Sequence, residues 1–259
     1  MRVEAKTGRV LEGPLQSVYV YEAPVRIWHW VMMLCMIVLA VTGYLIGDPP
    51  PAVGGEAAFS YFFAWIRLLH FIAAWIFAVA FVVRIYWAFV GNHHARSIFL
   101  PPFFSGAWWR GMFSQGRYYL FLKDESDLWV GHNPLAQAAM FFMYTLGTLF
   151  IIVTGFALYA QQWPWGSVPM NLFGWVFVLF GDPQMVRTLH HLAMWYLLLF
   201  AFVHMYMVVR EDIMSGESVV GTMISGIRLF KRLPTAARVG VGAPAATERR
   251  AASGPASPR

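Results

Sequence analysis

Hydrophobic positions run along this chain in four long blocks, about residues 26–47, 62–90, 134–160 and 186–209. A helix rising about 1.5 Å per residue needs about 20 apolar residues to cross roughly 30 Å of hydrocarbon. Each block meets that length, so four membrane-spanning helices are predicted. Pro24 and Pro134 stand near helix starts, where a missing N–H costs little. A fifth apolar stretch, "VPMNLFGWVFVLFG" at 168–181, is too short to cross and reads as an interfacial or re-entrant helix. Trp28, Trp30, Trp87, Trp163 and Trp165 cluster near block ends, as interfacial anchors do. The predicted fold is an all-α integral membrane protein, a four-transmembrane-helix bundle with a short interfacial helix in the outer loop.

Composition agrees: 59% of residues are hydrophobic and 12% charged, against roughly 25% charged in a soluble domain. The first 17 residues lack the apolar core of a cleaved signal peptide, so the first block is expected to stay as an anchor. The single cysteine, Cys35, excludes an internal disulfide framework, a Cys-held iron–sulfur cluster and a C-x-x-C-H haem attachment.

Charge sets the orientation. Four Lys/Arg fall at or before Arg26, five between Arg84 and Asn133, and eight from Arg210 onward. The two opposite connections hold Arg67 and Arg187 alone. By the positive-inside rule both termini are expected to face the cytoplasm. The net charge of +6 then reflects topology and a basic tail facing anionic lipid, with no need of nucleic acid. Residues 1–22 form a cytoplasmic N-terminal segment, 23–215 the transmembrane domain and 216–233 a cytoplasmic amphipathic segment. Residues 234–259, rich in Pro, Ala, Gly and Arg, read as a disordered basic tail.

The chemistry lies in the histidines. His190 and His204 share the fourth block 14 residues apart, which is about 40° short of four turns, so they face one way about 21 Å apart. His191 points elsewhere and reads as a neighbour, while His93 and His94 sit in a basic loop and read as solvated. With the topology above, His70 and His190 lie at the outer depth and His29 and His204 at the inner one. Two bis-histidine haems stacked across the bundle fit this arrangement. One intramembrane His is often a hydrogen-bonded structural residue; four that sort into two depths point to a cofactor.

Three of these histidines follow an arginine by three residues: "VRIWHWVM", "WIRLLHFI" and "MVRTLHHL" hold Arg26/His29, Arg67/His70 and Arg187/His190. An i−3 residue shares the helix face. Each Arg is placed either to pair with a haem propionate or to snorkel toward headgroups. Gly43, 14 residues after His29, lets a flat ring approach the backbone or serves close helix packing. "VTGY" and "VTGF", around Gly43 and Gly155, echo one another. No Asp or Glu falls inside the four blocks, which disfavours a proton pump or ion-coupled transporter.

These stretches together resemble the b-type cytochrome subunit of membrane-bound nickel–iron hydrogenases. The resemblance rests on "RIWHW" with "VTGYLIG", "RLLHF" with "RIYWAFVGN", "GHNPLAQ", "VTGFALY", and "VRTLHHLAMWY" with "VHMYMVVRED", over about residues 20–215. Diheme formate dehydrogenase subunits share the four-helix plan, and a formate dehydrogenase-like partner or a haem-free anchor is the alternative. The resemblance implies two haem b held by His29, His70, His190 and His204. It implies partnership with a hydrogenase small subunit, and through it the large subunit, with a membrane quinone as electron acceptor. By analogy the quinone adjoins the inner haem near His132 and Asn133. His132 is placed to pass it a proton near neutral pH, and Asn133 equally to cap the third span.

Overall fold

The computed structural model describes residues 2–3, 10–11, 16–51, 61–124, 126–127 and 129–230. Four helices cross the molecule: Ala23–Gly47, Phe62–Val90, Pro134–Ala160 and Pro183–Ser215. They match the four hydrophobic blocks, and the first packs chiefly on the second, the third on the fourth. Outward faces carry Leu34, Ile37, Val79, Val82, Leu199 and Phe202. A bundle that leaves such residues uncovered suits a lipid solvent, with every helix satisfying its own backbone.

Helix ends follow from local chemistry. The Asp182 carboxylate accepts from the Met185 amide at 2.7 Å and Pro183 follows it, so the fourth span starts there. The span ends at Gly216, whose φ of 62° is the left-handed conformation of a helix stop. It therefore outruns the apolar block at 209 by six residues, Arg210–Ser215. Glu211 and Asp212 thus lie in its last turns, the only carboxylates in the four helices. Glu22 precedes the first span but does not cap it. Its Oε2 instead accepts from Trp87 Nε1 at 3.0 Å and the Asn92 amide at 3.2 Å, tying the start of the first span to the end of the second.

The third span contains a π-helical stretch, Met140–Thr145, where Thr145 Oγ1 donates to the Met140 carbonyl at 3.2 Å. Wide turns of this kind recur at functional sites; this one accompanies a buried Tyr144. The expected interfacial helix is two short ones, Val168–Phe173 and Trp175–Phe180, broken at Gly174. They cover Ala157 and Val186 at the end of the bundle away from the termini, called here the far end.

Residues 16–22 and 217–230 meet at the opposite end, called here the near end. The described part of the 216–233 segment holds two elements. A short helix, Val219–Ser225, is followed by a strand, Ile227–Phe230, which pairs antiparallel with Gln16–Tyr19. A second two-residue ribbon pairs Arg2–Val3 with Val10–Leu11. A buried Arg228–Glu217 pair at 3.2 Å anchors the first ribbon, and Arg228 also donates to the Trp129 carbonyl at 3.0 Å. The basic loop holds an unpredicted helix, Gly106–Tyr119, started by Ser105. The tail 234–259 lies outside the described residues.

Candidate functional site

His70 on the second span and His190 on the fourth line one cavity of about 910 Å³ in the far half of the bundle. Ligand pockets commonly enclose about 300–1,000 Å³, so a large flat cofactor is within its capacity. Gly43, Gly155, Arg67 and Arg187 line it too. His70 Nδ1 lies 2.8 Å from Thr42 Oγ1, and His190 Nδ1 lies 2.9 Å from Thr154 Oγ1. A Cβ on Gly43 would come within 3.3 Å of His70 Cε1, and one on Gly155 within 3.0 Å of His190 Cε1. Gly43 therefore makes room for a histidine ring as well as bordering the cavity.

His29 and His204 meet in the near half, with ring centres 6.4 Å apart. Two imidazoles opposite each other on one metal, each about 2 Å from it through nitrogen, have centres about 6 Å apart. The observed separation fits that arrangement. Phe200 stacks on the His204 ring at 5.7 Å and 18°. Buried His29 Nδ1 has no hydrogen-bond partner among the described residues. Among those residues no group of three or more His, Cys, Asp or Glu gathers as it would around a fully protein-ligated metal. Pairs suit haem, whose macrocycle supplies the other four ligands.

The arginines divide. Arg67 and Arg187 stand at the far-end cavity, where Arg187 Nη2 donates to Gln161 Oε1 at 3.1 Å. Neither is paired with a carboxylate among the described residues. Arg26 instead donates from Nη1 to the Ile224 carbonyl, so it fastens the near-end cap to the first span. Its Nε is buried without a partner among the described residues. A fourth arginine escaped the sequence reading, which counted Arg84 with the loop charges. Arg84 is 1% exposed inside the bundle, its guanidinium over Trp28 at 5.2 Å and Phe99 at 4.9 Å, with Nη2 donating to the Ala95 carbonyl at 2.8 Å.

His132 and Asn133, the residues expected near a quinone, lie at the start of the third span. Asn133 Oδ1 accepts from the Ala136 amide at 2.8 Å, so it caps the third span, and its Nδ2 donates to Tyr119 Oη at 3.2 Å. His132 pairs through Nδ1 with the Tyr21 hydroxyl at 3.0 Å. Burial, then the fields of His204, His94, Arg84 and Arg228, push His132 down to about 3. It is neutral at neutral pH and carries one ring N–H. Burial likewise raises the Tyr21 and Tyr119 phenols. His94, expected to be solvated, is half-buried against Gly131, where a Cβ would stand 2.7 Å from its Nδ1. The side chain of His93 lies outside the described residues.

His191 also lines the far-end cavity, beside Gly47, where a Cβ would meet its Nδ1 at 2.8 Å. Sequence reasoning missed Thr42, Thr154 and Arg84. The repeated "VTG" was the available signal for the threonines.

The family model described as prokaryotic cytochrome b561 matches residues 20–226. A protein of Bradyrhizobium diazoefficiens named "Probable Ni/Fe-hydrogenase B-type cytochrome subunit" is 53% identical over 215 residues, 83% of this chain and 87% of that protein. One of Azotobacter vinelandii with the same name is 52% identical over 215 residues, 83% of this chain and 90% of its own. An Escherichia coli protein, "Probable Ni/Fe-hydrogenase 1 B-type cytochrome subunit", is 46% identical over 220 residues, 83% of this chain and 92% of its own.

Proposed function

The chain belongs to the prokaryotic cytochrome b561 family, and from that premise we propose that it is the two-haem b-type cytochrome subunit of a nickel–iron hydrogenase. In this reading it anchors the hydrogenase through its small subunit and passes electrons from the outer face of the inner membrane to quinone. The names of relatives about half identical over four-fifths of the chain support the partner. The observation that carries the two-haem reading is the pairing of four histidines at two depths: His70 with His190 on one cavity, and His29 with His204 at 6.4 Å.

Haem b, held by pairs of histidines, would supply an iron that changes by one electron, chemistry suited to electron transfer. The chain's own residues hold and orient it. His70 and His190 bind at the far end, where Arg67 and Arg187 provide cationic partners for carboxylates. His29 and His204 bind at the near end. Gly43 and Gly155 keep the rings close to the helices. The near end faces the cytoplasm by its excess of Lys and Arg. Quinone docks there beside the inner pair, with neutral His132 as a hydrogen-bonding neighbour and Asn133 shaping the helix start.

The test is haem content in a His190→Ala variant. Loss of one of two haems per chain, with the protein still inserted, is the expected result. Unchanged haem content would refute the ligand assignment.

A further inference from the structure

Two hydrogen bonds repeat almost identically at the far end. Thr42 on the first span meets His70 on the second, and Thr154 on the third meets His190 on the fourth. Each threonine is followed by a glycine against which the same histidine ring lies. Each histidine has an arginine three residues before it. The far-end site is thus built twice, once from each pair of helices.

The direction of these bonds follows from counting protons. A threonine hydroxyl has one. Thr42 Oγ1 lies 2.7 Å from the Val38 carbonyl, and Thr154 Oγ1 lies 2.9 Å from that of Phe150. A carbonyl oxygen only accepts, so each hydroxyl proton is engaged one turn back in its own helix. The oxygen then offers a lone pair to the histidine, and Nδ1 must carry the hydrogen. A neutral imidazole protonated at Nδ1 has its free lone pair on Nε2, the form that ligates a metal.

We propose that Thr42 and Thr154 are positioning residues for the far-end histidines, accepting from Nδ1–H and so presenting Nε2 to the cavity. The inference rests on the two-haem reading. It distinguishes His190 from His191, whose Nδ1 lies beside Gly47 rather than a threonine. It also separates the two sites, since buried His29 Nδ1 has no such partner among the described residues. An acceptor on the outer nitrogen makes a ligating histidine more basic. A more basic ligand favours ferric over ferrous iron, so the threonines hold the outer haem at lower potential than an apolar neighbour would.

The experiment uses the full chain, purified with its partner, carrying Thr42→Val, Thr154→Val or the corresponding serine. Haem b per chain, a potentiometric titration followed in the visible bands and the ferric low-spin resonance spectrum are recorded together. The valine variants are expected to shift one haem component to higher potential and change its resonance, or to lose that haem alone. Serine, which keeps the oxygen, restores both signals. Valine variants with two haems and parental potentials and resonances would overturn the inference. So would serine variants that behave like valine, since the methyl group would then be what matters. Should valine prevent insertion, Thr42→Ala and Thr154→Ala remove the same acceptor and are read by the same criteria. Fewer than two haems in the parent would instead sink the two-haem reading.

Discussion

The ring centres of His29 and His204 lie 6.4 Å apart, although 175 positions separate the residues in the chain. The first and fourth spans thereby approach each other at the near end through these two rings. Replacing either, as in His29→Ala, is expected to remove the inner haem and leave the outer one. Absorbance of extracted haem, one per chain instead of two, checks it.

Gly155 leaves less room than Gly43. A Cβ would stand 3.0 Å from His190 Cε1 in one case and 3.3 Å from His70 Cε1 in the other. Gly155→Ala should therefore displace its histidine more, lowering the share of outer haem retained below that of Gly43→Ala. Haem content of the two variants, measured side by side, ranks them. Equal retention would show that the ring shifts freely.

Arg84 bridges the first span, the second span and the basic loop by stacking on Trp28 and Phe99 and by reaching the Ala95 carbonyl. Desolvated cation–π contacts are worth about 2 kcal/mol and a charged hydrogen bond about 1.5–3. Arg84→Met keeps much of the volume and removes both, and should lower stability by about 3 kcal/mol on that basis. Thermal unfolding in detergent measures the loss. Removing a buried positive charge also favours ferric iron, so the potential of the nearby inner haem should fall.

His132 makes a pH dependence. Its folded value, pushed to about 3 chiefly by burial, lies below the ordinary value of 6.5. The unfolded chain therefore binds a proton that the folded chain refuses between those values. The stability held by neutral His132 is complete above about pH 6.5 and is lost as pH falls toward 3. His132→Gln should flatten that part of the stability profile, measured by denaturation at fixed pH steps. A parallel profile in the variant would contradict the assignment.

The spans were readable because lipid demands length and apolarity from one continuous segment, and those survive in a single sequence. The 14-residue spacing of His190 and His204 and the i−3 arginines were readable because each lies within one helix. What Thr42 and Thr154 do was hidden, since each acts on a ring 28 or 36 residues away across a helix interface. Arg84 looked like a loop charge because the sequence does not reveal the aromatic faces that sheathe it. The ribbon of Gln16–Tyr19 with Ile227–Phe230 pairs two four-residue segments from opposite ends of the chain, and neither carries a strand signal long enough to stand out. The cap at Asn133, whose Oδ1 accepts from the Ala136 amide, was legible because it is local and stands directly before Pro134.

The central claim is that four histidines hold two haems in one chain, and the most direct test is the number of haem b per chain. The purified, membrane-inserted protein, prepared with haem available, should yield two, both reducible and resolved as two components in a redox titration. A folded preparation with no extractable haem would contradict the account and leave the histidine pairs as contacts between helices.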